Sequence, residues 1–90
     1  MTSIADTIRD VLKDVARLDV DASTLSEDDD LYAVGLTSHG TVNVLIGVED
    51  AFDIELPDEL LQRDTFATIA SLRAAVLSVG VADDSGDVTG

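Results

Sequence analysis

The sequence predicts an all-α domain: a small bundle of three main helices plus one short helix, with a long first loop. Apolar residues recur at helical spacing in three separate segments. No segment shows the alternation of apolar and polar residues that is typical of a strand. The 90-residue chain is 46% hydrophobic but has only two Phe, one Tyr and no Trp, so its core must be aliphatic.

The first helix is predicted over residues 3–17, with Thr2 or Ser3 as its N-cap. Its core-facing residues keep the helical period: Ile4, Ile8, Val11, Leu12 and Val15. Over residues 18–37 this period is lost and Asp, Ser, Thr and Gly accumulate, which indicates a long ordered loop. Five apolar residues are expected to attach this loop to the core: Leu25, Leu31, Tyr32, Val34 and Leu36.

The second helix is predicted to begin at Thr37 or Ser38 and to end near Phe52, since Asp53 and the segment before Pro57 would stop it. At about 100° per residue, one broad arc of this helix would face the core. That arc contains Thr41, Val44, Leu45, Val48, Ala51 and Phe52. Aliphatic, amide and acidic residues mix on the rest of the surface: Val42, Asn43, Ile46, Glu49, Asp50 and Asp53.

A short helical turn is predicted over residues 58–61, and a last helix is predicted with Thr65 as its N-cap. The apolar period of the last helix runs through Phe66, Ile69, Leu72 and Val76. We therefore expect one folded domain over residues 1–79, followed by a disordered acidic tail over residues 80–90.

The charge distribution restricts the possible partners. The chain has 19 acidic and 5 basic residues, and no Lys or Arg lies between Arg17 and Arg63. A charge of this kind is typical of a solvated surface, but it also favours partners with basic docking surfaces and disfavours nucleic acid and anionic membranes. The N-terminus resembles neither a signal peptide nor a membrane span, so we expect a cytoplasmic protein, and a monomer.

Neither a catalytic nor a metal site is predicted. The absence of Cys excludes a thiolate nucleophile and a cysteine zinc site. Ser38 lacks the glycine two positions earlier that a nucleophile elbow requires, and the single histidine, His39, would diverge from it by about 100° on a helix. The acidic run at residues 28–30 lacks the glycine and spacing of an EF-hand, although it could hold a divalent ion loosely.

Ser38 is the candidate modification site. A hydroxyl at a loop-to-helix junction is exposed, and the free amides and dipole of the helix N-terminus would stabilise a phosphate there. Serine is also a preferred N-cap, and local physics alone favours that role for Ser38. The sequence around Ser38 reverses this preference.

Several short patterns occur in a fixed order along the chain. They are Asp30-Leu31, Gly35-Leu36-x-Ser38, Thr41-Val42, Glu49-Asp50-x-Phe52-Asp53-Ile54-Glu55-Leu56-Pro57 and Thr65-Phe66-x-Thr68-Ile69-x-x-Leu72. From about residue 4 to residue 77 the chain resembles the acyl carrier protein family. This resemblance implies that Ser38 receives a 4'-phosphopantetheine arm from coenzyme A, at the serine of a Gly-x-Asp-Ser-Leu motif. It also implies that the thiol of the arm carries acyl or aminoacyl groups as thioesters.

The resemblance also implies partners: a phosphopantetheinyl transferase, an acyl- or aminoacyl-loading ligase, and a downstream transferase with a basic docking surface. The expected docking residues are Thr37, His39, Val42, Ile46, Glu49 and Asp50. Two of them depart from the family, which has Asp in place of Thr37 and Leu in place of His39. Both flank the modified hydroxyl, so they bear on recognition by the partners and favour partners other than the standard enzymes of fatty-acid synthesis. Gly40 is unfavourable within a helix, and we expect it to allow close approach of a partner or of the arm.

The Thr-Ser-His flank is similar to a branch of small bacterial carriers that stand-alone, synthetase-like ligases charge with an amino acid. A fatty acyl or polyketide cargo fits the rest of the sequence equally well. An unmodified acidic scaffold, or a nucleic-acid mimic that binds basic proteins, is the main alternative of another class. It would explain the charge, but not a serine at the start of this particular helix.

Overall fold

A computed structural model describes residues 3–16 and 18–81, and in this part of the chain all regular structure is helical. The three α-helices are α1 (Ile4–Val15), α2 (Ser38–Phe52) and α3 (Ile69–Ser78). Four short 3-10 helices lie in the connections: Ala22–Thr24, Tyr32–Val34, Asp58–Leu60 and Arg63–Phe66. The prediction of an all-α bundle of three main helices with a long first loop is confirmed, and Asp58–Leu60 corresponds to the predicted short helix. No helix of the described residues is long and apolar enough to cross a membrane.

α1 begins at Ile4 because the Ser3 hydroxyl accepts a hydrogen bond from the Asp6 amide at 3.1 Å. It ends at Val15, since Ala16 adopts an extended backbone conformation. The predicted alternative cap Thr2 and the predicted end at residue 17 lie outside the described residues.

The core is aliphatic, as the composition predicts. Eight residues of the described part have the largest fully buried side chains: Ile8, Leu12, Leu31, Val44, Val48, Ile69, Leu72 and Val76. No polar or charged side chain of that part is buried. The first loop joins this core through buried Leu25, Leu31 and Leu36, with Tyr32 and Val34 half-buried. Two backbone hydrogen bonds fix the loop to the region of α3: Leu31 N to Ala67 O at 2.7 Å and Ala70 N to Glu27 O at 2.9 Å.

Two predictions about the helices are wrong: the burial of Ala51 and the N-cap of α3. Ala51 is exposed rather than in the core, because it is rotated by about 60° from Val48 around α2, at the edge of the buried arc. The N-cap of α3 is Thr68 rather than Thr65. Thr68 and Ser71 form a reciprocal capping box at the start of α3. Thr65 takes part only through its carbonyl, which accepts a hydrogen bond from the Ser71 hydroxyl at 2.8 Å.

Two residues of the predicted tail, Gly80 and Val81, lie in the described part of the chain. Gly80 adopts a left-handed conformation after α3, and Val81 packs against the core. The rest of the predicted tail, residues 82–90, lies outside the described residues.

Candidate functional site at the start of α2

Thr37, not Ser38, caps α2. Its backbone is extended and its hydroxyl oxygen accepts a hydrogen bond from the Gly40 amide at 2.9 Å. Its carbonyl accepts the Thr41 amide at 3.0 Å. The interpretation of Ser38 as the N-cap, which local physics favours, is therefore wrong. Thr37 performs that role, and Ser38 is the first residue of the helix.

The Ser38 side chain is exposed, and its hydroxyl makes no hydrogen bond within the described part of the chain. Other serines in this part do use their hydroxyls in such bonds: Ser3, Ser23, Ser71 and Ser78. Ser26 also has an exposed, free hydroxyl, but it lies in a loop. Ser38 thus combines a free hydroxyl with the first turn of a 15-residue helix, where backbone amides lack intrahelical partners.

Glycines shape the helix next to this hydroxyl. A Cβ on Gly40 would lie 3.1 Å from Leu36 Cδ1 and 3.3 Å from the Thr37 hydroxyl oxygen. Gly40 therefore has an internal role, which is to leave room for the cap and for buried Leu36. A Cβ on Gly47 would lie 2.6 Å from Val11 Cγ1, so that glycine allows α1 and α2 to approach closely.

An exposed stripe with helical spacing continues from the start of α2: His39, Val42, Ile46 and Asp50. Val42 is 53% exposed and Ile46 is 59% exposed, the two highest values among the exposed large hydrophobic residues of the described part. The structure therefore brings together four of the predicted docking residues on one accessible surface. Isolated exposed aliphatic residues are ordinary, but a stripe next to an exposed hydroxyl at a helix start suits contact with a partner.

Glu49 differs from these four residues. It is half-buried, and its Oε2 accepts a hydrogen bond from the Leu56 amide at 2.9 Å. Its carbonyl accepts the Ile54 amide at 3.0 Å, next to Asp53 in the left-handed conformation. The Glu49 side chain therefore organises the turn that follows α2, a role the helical pattern of the sequence does not indicate.

The acidic residues of the first loop stabilise turns. Asp29 accepts a hydrogen bond from the Ser26 amide at 2.8 Å, and Asp30 accepts one from the Tyr32 amide at 2.9 Å. Hydrogen bonds from the Ser23 amide and hydroxyl lower the pKa of Asp21. The described residues contain no cluster of three or more acidic or His side chains that could hold a metal ion.

Tyr32 and Arg63 form a contact that the sequence does not predict. The Arg63 guanidinium lies 4.0 Å from the centroid of the Tyr32 ring, and the Tyr32 hydroxyl donates to the Arg63 carbonyl at 3.0 Å. Desolvation raises the pKa of this tyrosine, with the Arg63 charge opposing the shift. The contact joins the first loop to the segment before α3, away from the exposed stripe.

Two adjoining pockets, which together we call the α1–α2 groove, lie along α2 beside Val15, the last residue of α1. The first, of about 300 Å³ and next to Ser38, is lined by Gly35, Thr37 and His39, among others. The second, of about 530 Å³, is lined by residues that include Ile46, Gly47 and Asp50. Val15 and Asn43 line both pockets. The sequence does not predict this groove, because the period of α2 does not reveal where the end of α1 packs.

The first turn of α2 suits an anionic group attached to Ser38. It contains no acidic residue, so the positive end of the helix dipole is not already neutralised there. The free amides of the turn can donate to phosphate oxygens, and the exposed hydroxyl can be reached by a modifying enzyme. The start of α2 therefore has the exposure and the charge that a phosphate-linked group on Ser38 would require.

Comparison with known proteins identifies the family. The phosphopantetheine attachment site family matches residues 6–76. The aminoacyl carrier protein of Agrobacterium fabrum (strain C58) is 43% identical over 70 residues, which cover 78% of this chain and 84% of that protein. Aminoacyl carrier protein 1 of Bradyrhizobium diazoefficiens is 27% identical over 77 residues, 86% of each chain. The chain therefore belongs to the phosphopantetheine attachment site family, in its aminoacyl carrier protein branch.

Solved structures agree in fold. A structure of an engineered Bradyrhizobium japonicum glycine:[carrier protein] ligase with a carrier protein from Agrobacterium tumefaciens and ATP matches with a TM-score of 0.81 and 39% identity, covering 84% of this chain and 99% of that one. A structure of the Bradyrhizobium ligase with a glycylated carrier protein matches with a TM-score of 0.60 and 28% identity, covering 80% of this chain and 92% of that one. The prosthetic group of the family is covalently attached 4'-phosphopantetheine, and the start of α2 fits it.

Proposed function

We propose that Ser38 is the attachment point of 4'-phosphopantetheine and that the protein carries an amino acid as a thioester on this arm. The observation that carries the proposal is the free, exposed Ser38 hydroxyl in a first turn that Thr37 already caps. Ser38 can therefore be modified without loss of the bond that begins α2.

The attachment reaction needs an external phosphopantetheinyl transferase. The Ser38 hydroxyl loses its proton and forms a phosphodiester with the phosphopantetheine half of coenzyme A, and adenosine 3',5'-bisphosphate leaves. Once bound, the arm supplies a terminal thiol for the thioester. The chain itself then holds the phosphodiester at the start of α2 through backbone amides and the helix dipole.

An amino acid is the proposed cargo, and a stand-alone ligase is the proposed charging enzyme. The support comes from two aminoacyl carrier relatives and from related carrier proteins solved with a glycine:[carrier protein] ligase. The chain has no catalytic activity of its own in this proposal. The single histidine, His39, follows Ser38 directly in the chain. Because neighbouring helical side chains point about 100° apart, these two residues are poorly placed to act as a catalytic Ser-His pair.

The proposed docking surface is the exposed stripe of α2, His39, Val42, Ile46 and Asp50, together with Thr37. A basic partner would be attracted by the net charge of −14 and would then bury the two aliphatic side chains. Glu49 contributes its charge to this attraction, while its carboxylate remains bound to the Leu56 amide. Such weak, electrostatically steered contacts suit a carrier that visits several enzymes in turn.

Intact-mass measurement after incubation with coenzyme A and a broad-specificity phosphopantetheinyl transferase tests the attachment. We expect one phosphopantetheine addition, which is lost in Ser38→Ala. Ser26→Ala is the matched control, because Ser26 has the other exposed and unbonded hydroxyl described above, and it should keep the addition. No addition to the folded protein, or an addition that survives Ser38→Ala, would contradict the proposal.

The cargo is tested on the modified protein. Incubation with ATP, glycine and a glycine:[carrier protein] ligase should add the mass of one glycyl group, and hydroxylamine should remove it because thioesters are labile to this reagent. A parallel reaction uses a fatty acid and an acyl-activating ligase instead. If the modified protein is loaded only in that reaction, it is an acyl carrier rather than an aminoacyl carrier.

A further inference from the structure

The α1–α2 groove is chemically graded along its length. Next to Ser38 its walls contain no acidic residue, Lys or Arg, and include Gly35, Thr37 and His39. At the far end it is lined by the carboxylate residue Asp50. Asn43 is exposed, and its side-chain amide makes no hydrogen bond within the described part of the chain. The groove therefore offers a neutral amide in its middle and a negative charge at its end.

The length of the groove matches that of the prosthetic arm. Ser38 and Asp50 lie at opposite ends of α2, about 18 Å apart along the helix at 1.5 Å per residue. The arm continues from the serine oxygen through about fifteen chain atoms to its sulfur, the equivalent of about five extended residues or about 17 Å. An arm attached at Ser38 can therefore bring its thioester to the region of Asp50.

The chemistry of the arm matches the same gradient. Pantetheine is uncharged and contains two amide groups, which suits the neutral walls and the amide of Asn43. An amino acid joined through its carboxyl group keeps a free α-ammonium, which suits the carboxylate of Asp50. This carboxylate is exposed and makes no ion pair within the described residues. A fatty acyl group has no such charge and gains nothing from Asp50.

We propose that the aminoacylated arm lies in the α1–α2 groove, with its methyl groups against Val15, a pantetheine amide at the Asn43 side chain and the α-ammonium at Asp50. This inference rests on the proposed attachment at Ser38. Because Asp50 also belongs to the proposed docking stripe, a basic side chain of a partner competes with the α-ammonium for the same carboxylate.

Two other grooves are alternative locations for the arm. One, of about 800 Å³, lies at the end of α1 and the start of the first loop, and it shares Val15 and Asn43 with the α1–α2 groove. The other lies between α3 and the segment before it, and is lined by Leu60, Thr65 and Ala74, among others. Ser38 itself lines none of the three, but of the three only the α1–α2 groove includes both of its neighbours and Asp50.

NMR on the modified protein tests the proposal. The arm is attached from isotope-labelled coenzyme A analogues in which a stable amide replaces the thioester, one with a glycyl end and one with an acetyl end. Intact mass first confirms the addition at Ser38, and failure at this step refutes the attachment itself. With the arm in place, we expect nuclear Overhauser effects from its methyl groups to Val15 and to the Asn43 side chain. The Asp50 amide should shift more with the glycyl end than with the acetyl end.

Matched variants separate binding from general effects. Asp50→Asn should remove the difference between the glycyl and acetyl ends, whereas Asp53→Asn, at another exposed acid at the end of α2, should preserve it. Asn43→Ala should weaken the contacts of the arm to Val15, and Gln62→Ala, which removes an exposed amide elsewhere, should not. The proposal is overturned if the confirmed arm contacts Thr65 and Ala74 instead, contacts only the immediate neighbours of Ser38, or responds equally to both ends.

Discussion

The two adjacent acids near the end of α2 are predicted to differ sharply in their effect on stability. Glu49→Ala removes the acceptor for the Leu56 amide, and Leu56 itself is only 6% exposed. A hydrogen bond to a charged acceptor contributes about 1.5 to 3 kcal/mol, and because Glu49 is only half-buried we expect a loss of about 1 to 2 kcal/mol. For a domain of this size the melting temperature should fall by about 5 to 15 °C. Asp50→Ala, at an exposed side chain, should change the free energy of unfolding by less than about 0.5 kcal/mol.

This pair of variants controls for charge, because each removes one negative charge from neighbouring positions of the same helix. Urea unfolding followed by circular dichroism gives the free energy of unfolding for both variants, and Glu49→Gln provides an intermediate case that keeps an oxygen acceptor. Equal stabilities of Glu49→Ala and Asp50→Ala would refute the assigned role of Glu49. The result also bears on docking experiments, since a charge reversal at Glu49 would perturb the turn after α2, whereas Asp50→Lys leaves that turn intact.

Three further predictions concern the helices and the charge. Gly47→Ala should destabilise the protein by about 1 to 3 kcal/mol, because its Cβ would lie 2.6 Å from Val11 Cγ1, and the double variant with Val11→Ala should recover part of the loss in urea unfolding. Thr37→Ala should lower stability by about 1 kcal/mol through loss of the cap, while Thr37→Asp should not, as thermal melts of both will show. The melting temperature should rise with added salt, because screening relieves the repulsion of a net charge of −14, and a melting temperature independent of salt would contradict this reasoning.

Patterns within a single helix were predictable, whereas contacts between segments were not. The helical period gives the extent of α1 and α2 and the exposure of Val42 and Ile46. The same period cannot decide between Thr65 and Thr68 as a cap, because that depends on the partner hydroxyl of Ser71. The helical period also places Glu49 on the exposed side of α2. The period does not show that the chain reverses after Asp53, so that the Leu56 amide donates to the Glu49 carboxylate.

The candidate site shows the same limit. Attachment at Ser38 is a prediction from the order of short patterns on both sides of it, and such patterns can be read in a single sequence without knowledge of the packing. The α1–α2 groove depends on Val15 lying opposite Asn43, residues that are far apart in the chain. Gly40 was expected to allow close approach of a partner or the arm, and it does line the groove next to Ser38, but the sequence does not show that it also leaves room for Leu36 and the Thr37 hydroxyl. Packing between segments decides these points.

The two departures from the family pattern act in different ways on the same site. Thr37 keeps the hydrogen bond to the Gly40 amide that an aspartate would make, but it removes a negative charge beside the position of the phosphodiester. The helix dipole is then available to the phosphodiester alone. His39 changes the docking surface instead, since it heads the exposed stripe where the family has an aliphatic side chain. A partner that buries a leucine at this position would have to desolvate an imidazole, so we expect His39, in the proposed docking surface, to favour partners that offer it a hydrogen bond.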